Sequence, residues 1–218
     1  MKIVSIGDIH MATGNLARLA QVLRSADLMI LAGDLTNFGG VEDSRKVLEA
    51  VSEYCQRVLA VPGNVDQREV FPFLEEAGVA LHGRGVVIDG VAIFGCGGSN
   101  LTPFHTPSEL SEAEIEQTLR RGYGEVGERR PLVMVCHAPP LRTRCDRLRD
   151  GTAVGSAAAR RLIEEVQPEV CISGHIHESA GRDLIGRTPV LNAGAFRDGG
   201  YIVVETRGLD VAARLEFL

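Results

Sequence analysis

The sequence lacks an excess of basic residues. Asp and Glu together number 29 against 23 for Lys and Arg, which gives a formal net charge of −6. An acidic chain is not expected to attract nucleic acid or an anionic membrane through its overall charge. Any phosphate chemistry in this protein must therefore obtain positive charge from a local source.

The five cysteines lack the spacing of a thiolate zinc site and the even number of a disulfide framework. They are Cys55, Cys96, Cys136, Cys145 and Cys171, with no Cys-x-x-Cys pair among them. Cys136 and Cys171 lie in apolar runs and are predicted to belong to the core. This pattern argues against a structural zinc finger and favours a reducing compartment.

Long apolar runs are also absent. The first run, residues 2–6, is too short for the hydrophobic part of a signal peptide, and no segment is as long as a membrane span. We therefore expect a cytoplasmic protein without a membrane partner. The 218 residues contain no linker or repeat, so one domain covering residues 1–218 is predicted, and the oligomeric state is left open.

Short apolar runs alternate with helical patterns in the first third of the chain. Runs at 2–6, 28–32 and 58–61 each end in a polar loop, and apolar residues at helical spacing follow each loop. Three such units predict an α/β fold with parallel strands and helical crossovers. Further strands are predicted at 79–81, 86–88, 91–94, 132–136, 170–173, 190–191, 201–205 and 211–217.

Oxygen and imidazole donors follow five of the apolar runs. They are Asp8 with His10, Asp34, Asn64 with Asp66, His137, and His175 with His177. An isolated His-x-His pair is more often an ordinary surface feature, but donors at four other strand ends favour a metal site. Such residues converge at the carboxyl edge of a parallel sheet, and without thiolate they suit Mn, Fe, Zn or Ni. Their number is too large for one tetrahedral ion and predicts two ions that share a carboxylate.

Five sequence blocks in these loops resemble the motifs of the calcineurin-like metallophosphoesterase superfamily. The blocks are Gly7–His10, Gly33–Thr36, Gly63–Asp66, His137–Pro139 and Gly174–His177, in the family's order and across nearly the whole chain. The segments 99–104 and 154–156 are more similar to its small prokaryotic branch, which is akin to cyclic-nucleotide phosphodiesterases. The resemblance implies a two-sheet αββα sandwich with the metal site at the carboxyl ends of the strands.

The resemblance also implies a role for each donor. The first metal would be held by Asp8, His10 and His177, the second by Asn64, His137 and His175, and Asp34 would bridge them. Asp34, Asn64 and His137 are the expected catalytic residues. Two divalent cations, with Mn favoured, would lower the pKa of a shared water, so that a bridging hydroxide attacks the phosphorus near neutral pH.

The third block departs from the family pattern. Where the family usually has a His that protonates the leaving oxygen or stabilises the phosphoryl group, this chain has Val65. The loss removes an acid, and a positioned general acid contributes roughly 10²- to 10⁴-fold to the rate. Asp66 would normally pair with that His. Because Asp66 and Glu69 have the spacing of a capping box, we favour Asp66 as the cap of the next helix.

Two other residues are candidates for substrate contacts. His105 lies in the loop 99–107, where it either replaces the missing acid or is simply solvated. Arg142 begins an arginine-rich segment, residues 142–149, whose guanidinium groups suit phosphate oxygens. The competing interpretation of this segment is a solvated loop balanced by Asp146 and Asp150.

Two local predictions complete the pattern. His82 follows an apolar run without an evident partner and is expected on the surface. Thr106, Pro107 and Glu109 occupy the cap, first and third positions of a typical helix start, so a helix is predicted from Thr106 onwards.

The function predicted from these features is hydrolysis of a small phosphoester by a dinuclear metal centre. A phosphodiester, such as a cyclic nucleotide, is favoured over a monoester because it carries one charge fewer and needs less help from a histidine. One alternative is a protein-interaction scaffold that has lost catalysis, but only the non-ligand His is absent. An acyl hydrolase would require a His-x-His-x-Asp-His order, which is absent.

Overall fold

Two β-sheets form the centre of the protein, whose computed structural model describes residues 1–218. In chain order the strands are β1 (Lys2–Ile6), β2 (Leu28–Ala32), β3 (Val58–Val61), β4 (Gly85–Ile88), β5 (Val91–Cys96), β6 (Ser99–Asn100), β7 (Glu109–Leu110), β8 (Leu132–Cys136), β9 (Val170–Ser173), β10 (Gly181–Ile185), β11 (Thr188–Asn192), β12 (Gly200–Arg207) and β13 (Asp210–Phe217). The helices are α1 (Asn15–Arg18), α2 (Ala20–Arg24), α3 (Val41–Ser52), α4 (Val70–Glu76), α5 (Glu112–Val126) and α6 (Ala157–Val166). Short 3-10 helices occupy Arg144–Asp146, His177–Ser179 and Phe196–Asp198.

Each sheet has a group of parallel strands in its centre. The first has the order β13-β12-β1-β2-β3, with β1, β2 and β3 parallel. The second has the order β10-β11-β9-β8-β5-β4, with β5, β8, β9 and β11 parallel. Parallel strands place their carboxyl ends at the same edge, so the loops after β1, β2 and β3 leave the first sheet side by side.

Alternate residues along the strands divide the core into layers. Ile3 and Ile30 of the first sheet share one buried cluster with Val133, Val135 and Ile172 of the second. The opposite face of the first sheet packs against α1 to α4, and the opposite face of the second packs against α5 and α6. The layers are therefore helix, sheet, sheet and helix, which confirms the predicted αββα sandwich. No helix combines the length and the apolar composition needed to cross a membrane.

The helix predicted from Thr106 begins later than the sequence suggested. Its first residue is Glu112, and Ser111 and Glu114 form the capping box. Glu109 does accept a hydrogen bond from the backbone N–H of Thr106 at 2.7 Å, as a cap would. Pairing of β7 with β6 takes residues 109–110 instead, so tertiary contacts override the local signal.

His82 is not a free surface residue. Its Nδ1 accepts a hydrogen bond from the backbone N–H of Gly97 at 3.0 Å, and its ring packs edge-on against Phe71. Burial lowers the pKa of His82 to about 4, so its ring is neutral at physiological pH. The surface prediction was wrong because both partners are distant in sequence. The predicted burial of Cys136 and Cys171 is confirmed, and all five cysteines are free.

Candidate metal centre

Seven donor side chains lie together at the carboxyl edge of the strands. They follow β1 (Asp8 and His10), β2 (Asp34), β3 (Asn64), β8 (His137) and β9 (His175 and His177). The backbone at Asp8, His10, Asp34 and His175 has positive φ angles of 49°, 48°, 49° and 71°. Side-chain-bearing residues rarely adopt this conformation, and it persists only where the surrounding structure fixes it, typically at functional sites.

One group of donors forms around His10 and His177. Their Nε2 atoms are 3.2 Å apart, and Nε2 of His177 lies 3.1 Å from Oδ1 of Asp8. Nε2 of His10 lies 3.8 Å from Oδ2 of Asp34. One ligand atom from each of these four residues falls within 4.8 Å of the others, which is close enough to surround a single ion.

A second group forms around His137 on the other side of Asp34. Nε2 of His137 lies 3.2 Å from Oδ1 of Asn64 and 3.5 Å from Oδ2 of Asp34. The ring of His175 is 5.3 Å from that of His137, centroid to centroid. The same oxygen of Asp34 therefore faces His10 in one group and His137 in the other.

Backbone carbonyls fix the orientation of the rings. Nδ1 of His137 lies 2.7 Å from the carbonyl oxygen of Ala32, and Nδ1 of His10 lies 3.2 Å from that of Thr36. A carbonyl accepts only, so each Nδ1 carries the proton and each Nε2 offers a lone pair when the ring is neutral. Asn64 is oriented similarly, because its Nδ2 donates to Oγ1 of Thr106 at 3.0 Å.

These orientations bring acceptor atoms face to face. Nε2 of neutral His137 points at Oδ1 of Asn64 and Oδ2 of Asp34, and Nε2 of neutral His10 lies 3.8 Å from Oδ2 of Asp34. Acceptors at such distances repel unless a proton or a cation lies between them. Imidazole, carboxylate and amide donors suit divalent first-row metals, so the residues present fit divalent metal ions.

The charges in the centre shift pKa values in opposite directions. Burial acts to raise the pKa of Asp34, but the charge and hydrogen bond of His137 outweigh it and lower that pKa. Burial likewise acts to lower the pKa of His137, but the charge and hydrogen bond of Asp34 outweigh it and raise that pKa to about 10. The pKa of His175 falls to about 4 through burial and the nearby charge of His137. Neutral His175 is thus available as a ligand, and a cation at His137 would displace a proton.

Two glycines permit the close approach of the loops. A Cβ atom at Gly63 would overlap the carboxylate of Asp34, and one at Gly33 would overlap the ring of His137. Gly33 also has a φ of +99°, which disfavours other residues. The glycines that precede Asp34 and Asn64 are therefore part of the construction of the centre.

Asp66 does not cap the next helix, and this prediction was wrong. The helix α4 begins at Val70, with Glu69 at the N-cap position and no side-chain cap. The Asp66 carboxylate is fully buried and accepts four hydrogen bonds of 2.7–3.1 Å. The donors are the backbone N–H groups of Leu35, Thr36 and Gly63 and the hydroxyl of Thr36. Asp66 thus ties the Asp34 loop to the Asn64 loop.

Replacing Asp66 with alanine is expected to lower the free energy of unfolding by at least about 3 kcal/mol, since each unsatisfied buried donor costs about 1–3 kcal/mol. The true cap provides the control: Ser111→Ala is expected to cost about 1 kcal/mol. Urea unfolding of both variants measures the difference. Equal losses of about 1 kcal/mol would return Asp66 to the role of a simple cap.

The remaining candidates are loop residues that follow β3, β6 and β8. Val65 is half-buried, and its backbone N–H donates to Oδ1 of Asp34 at 3.0 Å. His105 is exposed and adjacent to Thr106, which orients Asn64. Arg142 is exposed on the loop after β8. Thr106 escaped the sequence analysis as a supporting residue, because nothing in its local pattern indicates a contact 42 residues away.

Comparison with known proteins agrees with this geometry. Residues 1–179 match the family model described as calcineurin-like phosphoesterase. An uncharacterized protein of Methanocaldococcus jannaschii is 37% identical over 213 residues, which cover 95% of this chain and 93% of the relative. The crystal structure of TT1561 of Thermus thermophilus aligns with a TM-score of 0.73 at 18% identity, covering 98% and 97% of the two chains. A 5'-nucleotidase from Candida albicans aligns with a TM-score of 0.55 at 12% identity, covering 98% of this chain and 50% of the nucleotidase. The chain belongs to the calcineurin-like phosphoesterase family.

Proposed function

We propose that the protein is a dinuclear metal-dependent phosphodiesterase that hydrolyses small phosphodiesters such as cyclic nucleotides. The position of Asp34 carries the proposal. One carboxylate oxygen lies 3.8 Å from Nε2 of His10 and 3.5 Å from Nε2 of His137, so it belongs to both groups of donors. A single carboxylate shared by two donor groups is the arrangement that a pair of ions requires.

The proposed ligand sets follow the two groups. Asp8, His10 and His177 would hold one ion, Asn64, His137 and His175 the other, and Asp34 both. When bound, two divalent cations would neutralise the charge on a phosphoester and make water a better nucleophile. They would also supply the local positive charge in a chain of net charge −6. Mn is the preferred cation, since oxygen and imidazole donors without thiolate suit it.

The protein's own residues favour a diester. Val65, whose backbone N–H donates to Asp34, has an apolar, non-titrating side chain, so this position provides neither a proton nor a cation. A monoester dianion would gain more from such a cation than a diester monoanion does. His105, in the loop 99–107, is the proposed source of a proton, and Arg142 is a proposed contact to the substrate.

The rival function, a scaffold without catalysis, would be marked by missing donors. All seven donors are present and converge, and the backbone carbonyls of Ala32 and Thr36 orient two of the rings. A surface used only for protein contacts would not need this construction. The five free cysteines support the proposed cytoplasmic location.

Metal analysis combined with a substrate panel tests the proposal. The panel contains bis(4-nitrophenyl) phosphate, 4-nitrophenyl phosphate, 3',5'-cyclic AMP, 2',3'-cyclic AMP and 5'-AMP. We expect about two divalent ions per chain and faster hydrolysis of the diesters. Faster hydrolysis of 4-nitrophenyl phosphate and 5'-AMP would make the protein a monoesterase. Absence of bound metal or of any hydrolysis would favour the scaffold.

A further inference from the structure

We propose that the arginine loop, residues 142–149, binds a second phosphate group of the substrate. The preferred substrate is then a small phosphodiester that carries an additional phosphate. This inference rests on the proposed function and deepens it, because it names a chemical feature of the substrate. The loop lies near the donors, its backbone is held by hydrogen bonds, and three of its guanidinium groups are unpaired.

The arginine loop lies along the edge that holds the donors. Arg142 is five residues after His137, so the two Cα atoms are separated by at most about 18 Å even in an extended chain. The backbone N–H of Arg147 donates to Oγ of Ser179 at 2.8 Å, and that hydroxyl donates back to the carbonyl oxygen of Arg147. Ser179 is two residues after His177. The loop therefore spans from the His137 side of the centre to the His177 side.

A buried carboxylate holds the arginine loop in one shape. Asp146 is fully buried and accepts hydrogen bonds from the backbone N–H groups of Arg142, Thr143 and Gly155 at 2.8, 2.9 and 3.1 Å. Arg142 has a φ of 60°, and its carbonyl oxygen accepts a hydrogen bond from Arg160. A backbone fixed in this way has little conformational entropy left to lose when a ligand binds.

Three guanidinium groups of the arginine loop have no partner. The side chains of Arg142, Arg144 and Arg149 are exposed and make neither a hydrogen bond nor an ion pair, whereas Arg147 donates to backbone carbonyls of its own loop. Arginines elsewhere, such as Arg120, commonly pair with glutamate.

The two aspartates of the segment do not balance these charges. Asp146 is occupied by backbone N–H groups and approaches only Arg147, and Asp150 accepts from the backbone N–H of Thr152. The aspartates of the segment therefore leave three guanidinium charges without a partner in the protein. An external anion is the missing partner.

Phosphate is the anion that this arrangement suits. A guanidinium presents a planar fork of N–H donors that matches two phosphate oxygens, and several on one rigid loop bind a dianion better than a single charge. The scissile phosphodiester belongs at the donor centre, so the arginine loop is left for another phosphate on the same molecule. A nucleic acid is disfavoured, since the net charge of −6 opposes a long polyanion.

A matched pair of substrates tests the inference. Thymidine 5'-(4-nitrophenyl phosphate) and its 3'-phosphorylated form share the same scissile bond and differ by one phosphate. For the wild type we expect a roughly 10- to 100-fold lower KM for the phosphorylated form with similar kcat, the range expected for charge-assisted hydrogen bonds. The preference is expected to shrink as salt is raised, because exposed charges are screened.

The variant Arg144→Gln/Arg149→Gln is expected to lose most of this preference and to leave KM for the unphosphorylated substrate unchanged, because both side chains are exposed and unpaired. Arg187→Gln/Arg207→Gln is the matched control. It removes two exposed, unpaired arginines at the opposite edge, since Arg187 precedes β11 and Arg207 ends the antiparallel β12. The control is expected to keep the preference.

Calorimetric binding of thymidine 3',5'-bisphosphate against thymidine 5'-monophosphate separates this inference from the proposed function. Tighter, loop-dependent binding without hydrolysis of either substrate would overturn the function and keep the arginine loop as a phosphate site. Hydrolysis without any preference for the second phosphate would overturn the inference alone. Equal losses in the two double variants would do the same, as would a preference for an oligonucleotide over the bisphosphate.

Discussion

Asp34→Asn is expected to reduce phosphodiester hydrolysis by at least about 10³-fold, because it removes the group that both ions would share. Bound metal is expected to fall from about two ions per chain to one or none. The fold is expected to survive, since asparagine has the same size and its side-chain oxygen can still accept the backbone N–H of Val65.

The physical reason is the direction in which the new amide would point. Oδ2 of Asp34 faces Nε2 of both His10 and His137, and Nδ1 of each ring is occupied by a carbonyl. An NH₂ group in place of Oδ2 would donate to these lone pairs and satisfy them. The variant would then have a hydrogen-bonded centre that excludes the cations without a cost to stability.

Asp43→Asn provides the control, since Asp43 is a partly exposed residue of α3 that pairs with Lys46. It is expected to keep wild-type activity and metal content. Circular dichroism checks the fold of both variants, mass-spectrometric metal analysis gives the occupancy, and bis(4-nitrophenyl) phosphate gives the rate. Two ions per chain with near-normal turnover in Asp34→Asn would show that Asp34 is not a bridge.

The location of the donors could be predicted from the sequence, because the ends of buried strands are recognisable locally and the ends of parallel strands lie at one edge of the sheet. Apolar runs closed by Asp8, Asp34 and Asn64 identify buried parallel strands, and parallel strands must deliver their next residues to one edge. The αββα layering followed from the resemblance to the family. It could not have been obtained from the runs alone, since they do not show which strands share a sheet.

Asp66 shows where local reasoning fails. The same residue satisfied a capping pattern with Glu69 and a buried network with Leu35, Thr36 and Gly63. Four hydrogen bonds in the interior outweigh one exposed cap, but those partners lie up to 31 residues away and carry no local signal. The unpaired state of Arg142, Arg144 and Arg149 is equally invisible in the sequence, where Asp146 and Asp150 appear to balance them.

A second large effect is expected in how the hydrolysis rate depends on the leaving group of the phosphodiester. Val65 provides no proton at the position beside Asp34, so the rate is expected to depend steeply on how basic the leaving oxygen is. Esters of acidic phenols are expected to turn over well, and esters of ordinary alcohols to lag by roughly the 10²- to 10⁴-fold that general acid catalysis contributes. Strained cyclic phosphodiesters would escape part of this loss, because ring opening relieves their strain.

Val65→His is expected to flatten this dependence and to raise monoesterase activity relative to diesterase activity. The rescue is expected to be partial, because a catalytic imidazole needs a group that fixes its tautomer. The neighbouring carboxylate of Asp66 already accepts four hydrogen bonds, so it cannot turn towards the new ring without leaving buried donors unsatisfied. Val65→Asn is the control for a polar side chain of similar size that cannot transfer a proton.

His105 provides the competing explanation, since it lies next to Thr106, which orients Asn64. If His105 already donates the proton, His105→Ala slows alkyl esters much more than nitrophenyl esters. The decisive measurement is kcat/KM across a series of leaving groups for the wild type, Val65→His, Val65→Asn and His105→Ala. A steep wild-type slope that Val65→His flattens and Val65→Asn does not would establish the missing acid. A shallow slope that His105→Ala steepens would assign the proton to His105, and a shallow slope that His105→Ala leaves unchanged would contradict both explanations.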